Sequence, residues 1–149
     1  MHDVMSADTI GHELKAINHI MQRKMMLLGT NSGLDKVTVM HGWIIHFIEE
    51  HRNCDVYQKD IESAFAISRS TVTNILKLME KKGYILRESV DSDARLKKLI
   101  LTEKGIQTGN VLKNAAKENE KQFDSILNEE EKETFVFLLK KFRNGLENT

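Results

Sequence analysis

Residues Ile67–Thr102, ISRSTVTNILKLMEKKGYILRESVDSDARLKKLILT, decide how this chain folds. The first half places Val72, Ile75, Leu76 and Met79 at i, i+3, i+4 and i+7, the spacing of one buried helix face. Ser68 stands just ahead of that stripe, where its side-chain oxygen can accept from the free N–H groups of a first turn. Lys81, Lys82 and Gly83 close the segment, with cations at the negative pole and then a residue that readily takes positive φ. The opposite face carries Arg69, Ser70, Thr73, Asn74 and Lys77, short donors and acceptors with two cations and no carboxylate. Such a face suits a groove lined with base edges and phosphates, although an ordinary solvated helix face has much the same appearance.

The residues beyond the helix favour the groove. Tyr84–Val90 is rich in β-formers, Leu96–Leu101 is a second short run, and the DSDAR stretch between them is a polar turn at Asp91, Ser92 and Asp93. The order is helix, strand, polar tip, strand, with Arg95, Lys97 and Lys98 at or beside the tip. From Ile67 to Lys104 there are nine Lys/Arg against five Asp/Glu, in a chain that totals 22 of each. The local positive excess points to a polyanion, which the net charge of zero conceals.

This segment resembles the winged helix-turn-helix of the MarR family of bacterial transcriptional regulators. The resemblance is carried by ISRSTVTNILKLMEKKGYI, by Arg87, and by Asp93-Ala94-Arg95 followed by Leu99-Ile100-Leu101-Thr102 and Gly105. It implies a mainly α protein with a small β-wing: a winged helix-turn-helix at about 36–102 and dimerisation helices at about 8–28 and 103–147, all one domain over 1–149. It also implies a DNA-binding regulator, a repressor on a palindromic operator. The pattern departs from the family at Ala94, where many members carry a second arginine, so the implied minor-groove contact is either weaker or rests on Arg95 alone. In the family the wing Asp holds the wing Arg, which transfers to Asp93 and Arg95. A carboxylate two residues from a guanidinium can fix its rotamer.

Composition excludes several other classes. The chain has 30% charged residues, 6% aromatics and no proline, which permits long unbroken helices. Cys54 is the only cysteine, so there is no internal disulfide, and the expectation is a reducing cytoplasm. The first residues, MHDVMSADTIGHELKA, lack a signal-peptide core, and WIIHFI is too short to span a bilayer. No Gly-rich phosphate loop, HExxH or GxSxG supports an enzyme, and no cofactor is expected.

In chain order, Ile10–Leu28 reads as a helix with Ser6, Asp8 or Thr9 as cap, and residues 29–33 as a loop. A second helix runs from Lys36 to His51 with Met40, Trp43, Ile44, Phe47 and Ile48 inward. Val56-Tyr57 is a brief strand, and Gln58–Phe65 a short helix with Ile61, Ala64 and Phe65 inward. After the wing, Thr102 caps a helix to about Ile126. Asn128-Glu129-Glu130-Glu131 then has the form of a capping box before a helix with Phe135, Leu138, Leu139, Phe142 and Leu146 on one stripe. A winged helix has little core left to cover these terminal stripes, so a second copy of the chain is expected to bury them, as in the resembled family. A monomer whose terminal helices pack on each other is the alternative. Two-fold symmetry implies half-sites roughly 34–36 Å apart.

The expected partner is therefore double-stranded DNA. Ser70 and Asn74 are candidates for base edges, Asn because it can bond adenine bidentately. Arg69, Thr73 and Lys77 suit phosphates, with guanine open to Arg69, and Ser68 is a cap that can also meet a phosphate. Asp93, Arg95 and Lys97 form the wing contact. Gln58 and Lys59 open the short helix where the DNA backbone is within reach. Family members commonly respond to small aromatic or phenolic acids, oxidants or metals, and Met21, Met25, Trp43, His46 and Phe47 are the candidate effector pocket, unless they are simply core. Cys54 has no resolving partner, and His41, His46 and His51 do not share a helix face, so no metal site is expected. The runner-up is a winged helix used for protein–protein contact without sequence-specific DNA binding. Repression and activation are not separable from sequence.

Overall fold

A computed structural model describes residues 8–149, in two compact units divided within one helix between Ala115 and Ala116. The first unit begins with α1 (Ile10–Asn31), where the Thr9 hydroxyl accepts from the His12 N–H at 3.3 Å. Ser6, the other hydroxyl candidate for this cap, lies outside the described residues. The helix runs on through the expected loop at 29–31. Gly29 lies so close to Val39 that a Cβ there would sit 2.5 Å from its side chain, and the Thr30 hydroxyl bonds the Met26 carbonyl. Asp35 caps α2 (Lys36–Met40) by accepting from the Thr38 N–H at 2.8 Å.

The single helix expected over 36–51 is two helices, because His41 leaves helical geometry (φ −102°, ψ 9°) before α3 (Gly42–Glu50). Gly42 is a weak helix former and packs against Leu112, which occupies the space of its missing side chain. The break turns Met40 outward and brings Ile45 in beside Ile44 and Ile48. After β1 (Val56–Tyr57) comes α4 (Gln58–Phe65), where the Asp60 carboxylate accepts from the Tyr57 N–H. Of the three residues expected inward on α4 only Ile61 is fully buried, Ala64 being exposed and Phe65 lying at the edge against Trp43. Ala66, in the left-handed region (φ 51°), turns the chain into α5 (Arg69–Lys81).

The wing is β2 (Ile85–Val90) and β3 (Asp93–Leu101), with β1 on the other edge of β3, giving an antiparallel sheet of order β1-β3-β2. Val56 pairs with Leu99, and Ile85 with Leu101. Val72, Leu76, Met79, Ile44, Ile45, Ile61 and Ile85 are fully buried together in the core. Removing any of the larger ones to Ala costs about 2–5 kcal/mol, so this core rigidly fixes the face that α5 turns outward.

The helix-to-strand turn is a junction of several elements. Gly83 takes φ +80°, and its carbonyl accepts from the Thr102 hydroxyl at 2.5 Å. Thr102 in turn caps α6 (Glu103–Asp124) by accepting from the Gly105 N–H at 3.0 Å. Lys82 pairs with Asp35 at 2.9 Å, and buried Thr38 and Tyr84 share a hydroxyl hydrogen bond at 3.0 Å.

In the second unit, α6 ends at Asp124 rather than Ile126, and α7 (Glu129–Glu147) opens with a capping box. Asn128 accepts from the Glu131 N–H, and the Glu131 carboxylate accepts from the Asn128 N–H. No residue of α7 is buried, and Phe137, Leu138 and Leu146 are more than half exposed. In the first unit α1 likewise leaves Ile10, Ile17, Ile20 and Leu27 uncovered. Among the described residues no helix is long and apolar enough to cross a membrane.

Candidate nucleic-acid interface

The buried stripe Val72, Leu76 and Met79 fixes the roll of α5, which leaves Arg69, Ser70, Asn74 and Lys77 exposed and Thr73 half-buried. Ser68 caps the helix, accepting from the Thr71 N–H at 3.4 Å and donating to the Thr71 hydroxyl at 2.9 Å, with Ser70 Oγ 3.3 Å away. The cap and its neighbours form a cluster of small hydroxyls at the positive end of the helix, next to Arg69. Such an end attracts anions. Thr71 belongs to that cluster but is absent from the sequence-derived set, because its contact is to the cap and not to the outward face.

Gln58 is tied directly to this helix. Its side-chain amide donates to Thr73 Oγ1 at 2.8 Å and to the Arg69 carbonyl at 3.3 Å. Sequence placed Gln58 only as a candidate backbone contact, and the bond to Thr73, 15 residues on, has no local signature.

The wing differs from expectation at its tip. Val90 pairs with Asp93 across the two-residue turn, whereas the adjacent Ser89 pairs with Lys97. Residues 94–96 therefore arch out of the ladder as a bulge on β3. Arg95, at the centre of the arch, is exposed, and its backbone N–H donates to Asp93 Oδ1 at 2.9 Å. Asp93 thus holds the main chain of Arg95, not its guanidinium, which has no carboxylate partner among the described residues. Lys97 is exposed beside it.

Three of the nine cations counted in sequence are engaged by carboxylates: Lys82 by Asp35, Arg87 by Glu80 at 2.7 Å, and Lys98 by Asp55 at 3.4 Å. Asp35 and Asp55 lie outside the counted stretch and offset part of its excess. The other six have no carboxylate partner among the described residues: Lys81, Lys104, whose ammonium donates to the Lys82 carbonyl, and Arg69, Lys77, Arg95 and Lys97, the four expected from sequence to face DNA. The backbone of Thr38 and the ammonium of Lys82 hold the Asp35 carboxyl at about 2, well below the usual carboxylate range.

The candidate effector residues are only partly brought together. Trp43 and Phe47 both meet Phe65, at ring-centroid distances of 4.3 and 5.5 Å, and Met25 packs against the core. His46 is exposed and pairs with Glu50 at 3.2 Å, while Met21 is exposed on α1. Burial pushes the His41 imidazole down from its ordinary value. Among the described residues, no three His, Cys, Asp or Glu side chains are grouped to hold a metal ion.

Residues 35–96 match the family model described as "MarR family". The chain is 24% identical over 118 residues, 79% of each chain, to the uncharacterized HTH-type transcriptional regulator YybA of Bacillus subtilis. Its fold is similar to that of Staphylococcus aureus MepR in a crystal structure of a MepR–DNA complex, with TM-score 0.81 and 27% identity over 93% of this chain and 98% of that one. It is also similar to MarR from Oenococcus oeni, with TM-score 0.72 and 29% identity over 93% and 99% of the two chains.

Proposed function

We propose that the chain is a winged-helix transcriptional regulator of the MarR family and works as a homodimeric repressor on a palindromic operator. The observation that carries the reading is the exposed face of α5, which carries no carboxylate before Glu80 and is rolled outward by three fully buried residues. In this reading the winged helix-turn-helix spans about 36–102, α5 enters the major groove, and Arg95 on its arch reaches the minor groove. Ser70 and Asn74 read base edges, Arg69, Thr73 and Lys77 hold phosphates with Ser68, and Asp93 and Lys97 support the wing contact. The similarity to MepR, whose structure with DNA has been solved, supports this assignment of partner.

The uncovered apolar faces of α1 and α7 support a second copy as partner, through helices at about 8–28 and 103–147. Water-exposed Ile10, Leu27, Phe137 and Leu146 gain about 25 cal/mol per Å² when covered. A small aromatic or phenolic effector acting through Met21, Met25, Trp43, His46 and Phe47 completes the reading. Trp43 is the only tryptophan, so its fluorescence reports occupancy directly.

Selection of duplexes from a random-sequence pool tests the proposal, together with sedimentation of the free protein. The expected result is a dimer that enriches a palindrome with half-sites one helical turn apart, bound with a steep salt dependence. A monomer that enriches no sequence overturns it.

A further inference from the structure

Thr73 lies on the DNA-facing helix, and the side chain of Gln58 reaches it from the start of α4. The direction of that hydrogen bond is fixed by a third group. The Arg69 carbonyl, 3.3 Å from the same amide nitrogen, can only accept, so the group facing it must be the NH2 and not the amide oxygen. The NH2 therefore also faces Thr73 Oγ1 at 2.8 Å, and the threonine oxygen is the acceptor. A helical threonine otherwise tends to turn its hydroxyl onto the carbonyl four residues back, which for Thr73 is Arg69. Gln58 sits on that carbonyl and takes up the threonine oxygen at once.

We infer that Gln58 is a positioning residue that occupies one lone pair of the Thr73 oxygen and so orients the hydroxyl to give its proton outward to an acceptor on DNA. This rests on the DNA-binding reading above. The acceptors that fit are a phosphate oxygen or the N7 or O6 edge of a purine. On this face Thr73 is the side chain that Gln58 holds from the preceding helix, so its hydroxyl is oriented before DNA arrives.

The test is a double-mutant cycle on Gln58→Ala and Thr73→Val, read on the duplex that the unmodified protein selects and on random duplex of equal length. Each single substitution is expected to weaken the selected duplex about five- to tenfold. The double variant is expected to be no weaker than either single one by more than about twofold, since one contact is lost in each case. Thr73→Ser, which keeps the hydroxyl, restores binding only when Gln58 is present. A loss confined to one base position identifies a purine edge as acceptor, and an equal loss on every duplex identifies a phosphate. Single losses that multiply in the double variant, or a Thr73→Ser protein indifferent to Gln58, overturn the inference while leaving DNA binding intact. An unmodified protein that selects no duplex overturns the DNA reading itself and the inference with it.

Discussion

Asp93 Oδ1 accepts the backbone N–H of Arg95 at 2.9 Å, so the carboxylate braces the main chain of the wing and leaves the guanidinium free. The bulge at residues 94–96 removes that N–H from the β-ladder, and Asp93 replaces the lost partner. An amide oxygen at position 93 can accept the same bond. Asp93→Asn is therefore expected to bind DNA about as well as the unmodified protein or slightly better, having also shed a negative charge. Asp93→Ala weakens binding several-fold by loosening the arch. Arg95→Ala weakens binding to all duplexes and lowers the salt slope by about one. Equilibrium titrations at several salt concentrations check all three, and an Asn variant as weak as the Ala variant excludes the backbone role.

Asp35 caps α2 and pairs with Lys82, two bonds that both need the ionised carboxylate to be at full strength. The carboxyl is held at about 2, against an ordinary value of 3.8. A depressed carboxylate stabilises the fold above its unfolded pKa, and that stabilisation fades as pH falls from about 4 toward 2. Both partners are partly exposed, so screening limits the ion pair, and Asp35→Ala is expected to cost about 1 kcal/mol, mainly through the cap. Denaturant unfolding at pH 7 and again near pH 3 should show the gap between the two proteins narrowing at the lower pH.

Leu138 is half exposed on α7 and contributes nothing to a buried core. Leu138→Asp should leave helix content and the fold of the chain unchanged, yet shift sedimentation from dimer to monomer. Affinity for the selected palindrome should fall by at least tenfold, because two linked half-site contacts become independent. A variant that remains dimeric removes this face of α7 from the interface.

Gly105 begins the first turn of α6 against the backbone of Tyr84. A Cβ there would lie 2.1 Å from the Tyr84 carbonyl oxygen and 3.3 Å from Leu101. Neither backbone can yield without disturbing the junction at Gly83 and Thr102. Gly105→Ala is expected to destabilise the protein by about 1–3 kcal/mol, lowering the melting temperature by about 3–10 °C. Thermal unfolding followed by circular dichroism measures it.

Much of this molecule is written locally in its sequence. Val72, Leu76 and Met79 declare the buried face of α5 by their spacing, Ser68 and Asn128 declare helix starts, and Gly83 declares a turn. These signals are legible because a helix period, a cap or a positive φ involves only residues a few positions apart. The remaining features depend on partners that packing brings together from distant parts of the chain. Gly42 meets Leu112 just after the break at His41, Lys82 pairs with Asp35 47 residues away, and Thr73 accepts from Gln58 on the preceding helix. Sequence spacing brought Asp93 near Arg95, but the register of the ladder determined which part of Arg95 it holds.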